Sequence, residues 1–383
     1  MATRKLNVVF EQYSIPHYRV PFFERLSHEV NLVVVASKDI SIDGVLEMDS
    51  NLPFSVIRCK ENPHGSGFHE EIIDILARHK ADIYISYGAL LNYILSKPQF
   101  VKMIRRSNIK IAWMGCDGYW VRNFWLEKFK RFEPWNPKAL YRTLRESCVI
   151  RKTDAFICHS SHMAQYFRIV HGVSEKKIFL AHNAIDTSGL LEQYHCFRNQ
   201  GLKKNFKEIV FIGRLVRSKS IDVLIKAFSK VLQSYPEARL KIIGDGSDRS
   251  SLQQLVHDLT ISDRVTFCGA VYDAVELGRL TYLASLYAIP GLGGLGINTG
   301  MAMGLPIICS YADGTEDDLI RKGYNGWRFD GSEQGLTSAL IEALSDQKSL
   351  EEMGMRSAGL IERDFNLDGM VRGYIKAINA LMA

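Results

Sequence analysis

Short apolar runs alternate with amphipathic helical patterns along this chain, and the alternation, having run through one half, begins again in the other. In the first half the runs are LNVVF (6–10), VNLVVVA (30–36), ADIYISY (81–87), IKIAWMG (109–115), DAFICHS (154–160) and IFLAHN (178–183). Stretches such as FHEEIIDILARHK (68–80) lie between them, with apolar residues at helical spacing. Strands alternating with helices imply a parallel, doubly wound sheet. The stretch 191–207 is polar, lacks strand character and reads as an interdomain connection. The pattern restarts with EIVFIGRL (208–215), helix 221–235, ARLKIIGDG (238–246), helix 251–259, RVTFCGAV (264–271), SLYAIPG (285–291), LPIICS (305–310) and WRFD (327–330). At 383 residues the chain exceeds one ordinary core. The expected fold class is therefore α/β, with two Rossmann-like domains in tandem. The first covers 1–190, the second 205–364, and a last helix over 365–383 returns to the first.

Composition narrows the function classes. No apolar run is long enough to span a bilayer, and the N-terminal apolar stretch is too short for a signal peptide. Cysteines 59, 116, 148, 158, 196, 268 and 309 are scattered and never form a CxxC pair. That pattern implies reduced thiols in a cytoplasmic compartment and no structural zinc. A net charge of +6 suits an anionic ligand or an anionic membrane surface. It is too mild to imply nucleic acid.

The most informative local segment is PGLGGLGINTGMAMGLP (290–306), which follows a buried-strand pattern. Glycines opening a helix expose backbone N–H groups and put no Cβ in the way of a close approach, as a phosphate cradle requires. In open α/β sheets ligands sit at the carboxyl ends of strands. Four features of the second half fall there: Gly213-Arg214-Leu215 with Lys219 beyond, Gly244-Asp245-Gly246, Gly269-Ala270-Val271, and Pro290 to Gly296. Arg214 offers a fork and Lys219 a compact charge, together able to neutralise a diphosphate. Read alone, the pair is equally an ordinary surface charge on a loop.

GRLVRSKSIDVLIKAF, LKIIGDGSDRSSLQQL, VTFCGAV and GMAMGLPIICS resemble the retaining glycosyltransferases of family 4, which have a GT-B fold. The likeness is good from Glu208 to about Asp330 and weaker in IPHYRVPFFERL (15–26), RKTDAFICHSS (151–161) and KIFLAHNAID (177–186). The resemblance implies that Arg214 and Lys219 hold the diphosphate of a nucleotide-sugar donor, and that Gly213 and Gly244 line the donor. The backbone around Val271 would meet the base. The amides of Gly294, Leu295, Gly296 and Ile297 would hold the distal phosphate. It also implies a cleft between the domains where donor and acceptor meet, a departing phosphate that accepts the acceptor's proton, and no metal or other cofactor. The family usually carries two glutamates around the glycine turn, one on the donor sugar and one on the ribose. Gly291 and Thr299 stand at those positions, so both carboxylates are absent. Either the site is degenerate or it grips its donor differently, with hydroxyls and backbone around Gly291 to Thr299, Asn298 among them. The retained cations favour the second reading.

In the first half, Asp117 follows strand 109–115 and would orient the acceptor hydroxyl or the donor sugar; a turn-forming Asp before Gly118 reads equally well. Glu11, Tyr13, His17, Arg19 and Tyr87 follow strand ends and would line the acceptor side. Glu316 matches a position where relatives have an acid near the site; a solvated helix N-cap acid is the other reading. Residues 119–146 mix tryptophans and other aromatics with many cations. They read as a seat on anionic lipid or as an amphipathic helix packed in the domain. The expected function is transfer of a sugar from a nucleotide-diphosphate donor to a saccharide or lipid-linked saccharide acceptor, in surface polysaccharide or glycoconjugate synthesis, by a cytoplasmic protein resting on the membrane's inner face. A nucleotide-sugar epimerase of the same fold, and a non-catalytic nucleotide-sugar-binding partner subunit, remain the alternatives.

Overall fold

The computed structural model describes residues 4–37, 52–59, 69–88, 91, 94, 95, 97–115 and 137–383. The chain divides into two compact units, Met1–His182 with Asp368–Ala383, and Asn183–Leu367.

The first unit is built on strands β1 (Asn7–Glu11), β2 (Asn31–Ser37), β3 (Ser55–Cys59), β4 (Ile83–Tyr87), β5 (Lys110–Gly115), β6 (Ala155–Cys158) and β7 (Ile178–Leu180). They form one sheet in the order β3-β2-β1-β4-β5-β6-β7, every pairing parallel. Chain order reverses between β1 and β4, so the topological switch point lies at their carboxyl ends. The last helix, Leu367–Met382, closes this unit. Its Tyr374 is fully buried against Phe10 and Phe22, with ring centroids 5.8 and 4.8 Å away. The Tyr374 hydroxyl lies 2.8 Å from His159 Nε2 and donates to Met114 Sδ at 3.3 Å. Burial, with Arg19 and His182 nearby, holds His159 down to about 3, so the imidazole is neutral.

The second unit carries β8 (Glu208–Ile212), β9 (Arg239–Ile243), β10 (Val265–Gly269), β11 (Leu286–Ile289), β12 (Ile307–Cys309) and β13 (Gly326–Arg328). Their order is β10-β9-β8-β11-β12-β13, again all parallel, with the reversal between β8 and β11. Helix Ile221–Val231 shows why the pattern folds this way: Ile221, Leu224, Ile225, Phe228 and Val231 recur at helical spacing and are all buried on the sheet side. Two parallel sheets flanked by helices are the α/β architecture expected.

Two sequence readings need correction. The stretch 191–207 is not a bare connection: Ser188–Asn199 is a helix, and its Leu190 and Tyr194 are buried in the second unit's core. Their spacing is helical, but the polar residues between them mask it. Strand β3 was also not expected. SVIRC is half-buried at a sheet edge and has no apolar run to announce it.

Candidate functional site

Because every pairing in the second sheet is parallel, the loops after β8, β9, β10, β11 and β12 gather on one edge. Backbone bonds stitch the first three together: Gly213 N donates to Ile243 O (3.0 Å), Leu215 N to Asp245 O (2.9 Å) and Gly244 N to Gly269 O (2.7 Å). The approach is closest at Gly244, where a Cβ would lie 1.8 Å from the Gly213 carbonyl oxygen. Only glycine fits there. Arg214 and Val271 are half-buried on these loops.

At the β8/β11 switch point the chain joins the glycine segment to the loop carrying Lys219. Gly291 N donates to Lys219 O (3.1 Å), and Leu292 N to Ser218 O (2.9 Å). The Lys219 ammonium donates to the carbonyls of Leu292 (2.5 Å) and Gly293 (3.2 Å). It also sits 3.3 Å from where a Cβ on Gly294 would stand. Burial brings Lys219 down to about 8, with the Asp313 carboxylate opposing and Arg214 reinforcing the shift. The sequence signalled the cation but not its use: two of its three N–H donors hold the glycine turn in place.

Helix Gly296–Ala302 follows, short and buried from Ile297 to its end. The Ile297 side chain is fully buried in the core, and its N–H donates to Gly294 O at 3.4 Å. Thr299 is also buried, while Asn298, 1% exposed, has its Nδ2 without a hydrogen-bond partner among the described residues. Glu316 is 2% exposed, which excludes the solvated-cap reading. Its Oε1 accepts from Ala312 N and lies 3.5 Å from Arg328 Nη2, while Oε2 has no hydrogen-bond partner among the described residues. Burial raises its pKa, the Ala312 bond opposes, and Asp313 adds to the rise. Arg328 also pairs with Asp317 and lies 3.9 Å over the Tyr311 ring.

The structure brings part of the expected acceptor side together in the first unit. Tyr13, beyond β1, and Tyr87, closing β4, stack with centroids 6.0 Å apart and rings inclined by 26°. His17 and Arg19 occupy a short 3-10 turn, His17 edge-on to Tyr18 and Arg19 Nη1 3.4 Å from Met370 Sδ on the last helix. Glu11 is entirely buried, a burial that its place after the three apolar strand residues Val8, Val9 and Phe10 did not reveal. Asp117 lies outside the described residues, as do 119–136; helix Pro137–Lys152 takes up the rest of the aromatic and basic stretch.

Sequence reasoning also passed over Lys204. Its ammonium donates to the carbonyls of Tyr282 (2.9 Å), Ala284 (3.3 Å) and Met303 (3.3 Å). It thereby caps two helices, one of them the helix that follows the glycine turn. Lys204→Met should cost about 3 kcal/mol of stability, since three buried carbonyls lose their donor. Burial lowers Lys204 to about 7, against the pull of Glu351. A folded pKa below the unfolded one means the unfolded chain binds more protons between pH 7 and about 10. Denaturant melts should therefore show the wild type gaining on the variant as pH rises through that window.

Two family models match the chain: Glycosyltransferase Family 4 over residues 20–188 and Glycosyl transferases group 1 over residues 195–358. The chain belongs to glycosyltransferase family 4. The N-acetyl-alpha-D-glucosaminyl L-malate synthase of Bacillus anthracis is 27% identical over 178 residues, covering 46% of each chain. This family 4 chain spans about half the length of the curated relatives it matches. Among solved structures, sucrose-phosphate synthase from Thermosynechococcus elongatus superposes with a TM-score of 0.70 at 15% identity, over 99% of both chains. HepE from Anabaena, solved in complex with UDP and glucose, gives 0.68 at 15% identity, over 98% of this chain and 99% of its own. These likenesses establish the GT-B fold. Among the described residues, no helix of this family 4 chain is long and apolar enough to cross a membrane.

Proposed function

We propose that this chain is a retaining, metal-independent glycosyltransferase that moves a sugar from a nucleoside-diphosphate donor to a hydroxyl of a saccharide or lipid-linked saccharide. One observation carries the reading: at the β8/β11 switch point, Lys219 and the glycine turn form one bonded unit, with Arg214 on the same loop. HepE's complex with UDP and glucose supports a donor of that class.

Breaking the bond between the anomeric carbon and the diphosphate oxygen builds negative charge on the leaving group. Arg214 and the remaining donor capacity of Lys219 would stabilise that charge, each contributing about 3 kcal/mol in the transition state. The acceptor oxygen bonds to the anomeric carbon from the face the diphosphate leaves, and its proton passes to a departing phosphate oxygen. Protein cations supply the counter-charge, so no metal is needed. The side chains that would meet sugar and ribose in place of the absent carboxylates are Glu316, with its unpartnered oxygen, Asn298 and Thr299. The acceptor would approach Tyr13, His17, Arg19 and Tyr87. The net charge of +6 suits work at an anionic membrane surface.

A thermal-shift screen against UDP, GDP, ADP and TDP sugars should give one clear stabilisation and so identify the donor. Proton NMR of the product anomer should then show retention, and chelation with EDTA should leave the rate unchanged. An inverted product, or loss of activity restored by a divalent cation, contradicts the mechanism. Conversion of donor without acceptor would mark an epimerase, and binding with neither transfer nor hydrolysis a partner subunit.

A further inference from the structure

At the switch point of the first sheet, the ladder between β1 and β4 runs from Val8–Ile83 to Phe10–Ile85 and goes no further. Beyond it, residues 12 and 13 stay bonded to β2 through the backbone: Gln12 N donates to Val35 O (2.9 Å) and Ser37 N to Tyr13 O (3.1 Å). Toward β4 the link is a side chain. The Glu11 carboxylate, entirely buried, accepts through Oε2 from the Tyr84 hydroxyl and from Ser86 Oγ (2.7 Å), both on β4. Immediately past this bridge stand the stacked rings of Tyr13, two residues beyond β1, and Tyr87, the last residue of β4. Tyr13 is 37% exposed and Tyr87 half-buried beside it, so the pair is part of the surface.

We propose that Glu11 is a positioning residue of the acceptor side: its carboxyl bridges β1 and β4 where the backbone ladder stops, and so sets the Tyr13–Tyr87 pair as a platform for the ring of a saccharide. The inference rests on the acceptor-side reading of those tyrosines. An aromatic face of this kind takes a pyranose through its C–H surface, provided the rings are already in place when the ligand arrives. Charge strengthens the bridge, because hydroxyl donors bind an ionised carboxylate about twice as strongly as a neutral group. Burial raises Glu11 to about 7, with the Tyr84 and Ser86 bonds opposing. Tyr84 is the titratable side chain facing it from β4, itself held neutral by burial, and the register partner on β2 is the apolar Val35. Among the described residues, Oε1 has no hydrogen-bond partner.

The test follows the ring signals of Tyr13 and Tyr87 by NMR of tyrosine-labelled protein, assigned with Tyr13→Phe and Tyr87→Phe. In the wild type both rings should shift together with a midpoint near pH 7. Glu11→Gln should abolish that midpoint, and Ser86→Ala, which removes a bond favouring the charged form, should move it upward. Methyl α-D-glucopyranoside then serves as a probe in saturation-transfer experiments. Glu11→Gln should weaken its binding by about fivefold at pH 8, with the ratio closing toward one at pH 6. Tyrosine rings that stay flat with pH, or a midpoint surviving in Glu11→Gln, would overturn the proposal. Probe binding that survives Tyr13→Ala and Tyr87→Ala would instead remove the acceptor reading and leave the strand bridge standing.

Discussion

Replacing Gly291 by alanine should lower sugar transfer by about 100-fold, because a misplacement of roughly 1 Å at a binding loop costs that much. The cause is space rather than backbone angle. A Cβ at this position would lie 2.3 Å from the Ser218 carbonyl oxygen and 2.5 and 2.7 Å from the Lys219 backbone. No flexible side chain can give way there, so one of the two loops must move. The displacement breaks the bonds from Gly291 and Leu292 to Lys219 and Ser218, which seat the glycine turn on the cation's loop. Forced overpacking should also cost about 1–3 kcal/mol of stability. Gly291→Glu is the sharper variant, since it restores the carboxylate usual in the family. It should be at least as inactive as the alanine variant, because the backbone of 218–219 fills the space its side chain needs. Steady-state turnover and a denaturant melt of each variant check both parts.

Lys219→Met should reduce turnover at least tenfold, and about 100-fold if the ammonium stabilises the leaving diphosphate as a single preorganised donor does. The same change strips the Leu292 and Gly293 carbonyls of their donor, so hydrogen exchange at 291–297 should rise with the loss of activity. The pH dependence follows from sign. The reaction needs the charged ammonium, and Lys219 is held at about 8 by burial. The kcat/KM for the donor should be flat below that value and fall as pH rises through it, with the fall absent from the residual activity of Lys219→Met. A profile in which wild type and variant fall in parallel would place the titration elsewhere.

How much of this was legible in the sequence differs by level. The period of the apolar residues was enough for the strands, since residues such as 209–212 and 286–289 are buried on both faces of a parallel sheet and read as unbroken runs. Edge strand β3 and the helix Ser188–Asn199 escaped because half-burial dilutes the period. The loops of the candidate site were legible as positions: glycines and cations at strand ends converge wherever all strands run parallel. Their use was not. That Lys219 spends donors on carbonyls, that Gly291 is a contact point between two loops, and that Lys204 caps two helices all depend on partners 72 to 99 residues away. Glu11 shows the same limit. A carboxylate closing a strand reads as exposed until the fold places Tyr84 and Ser86 beside it.

We propose that Arg214, Lys219 and the glycine turn hold a nucleoside diphosphate at the β8/β11 switch point. Calorimetric titration of UDP, GDP, ADP and TDP into the wild type, Arg214→Ala and Lys219→Ala tests it without need of an acceptor. The account predicts that one diphosphate binds the wild type and that each substitution weakens it by more than tenfold, with circular dichroism unchanged in Arg214→Ala. Equal affinity in wild type and both variants, or no binding of any of the four, would contradict it.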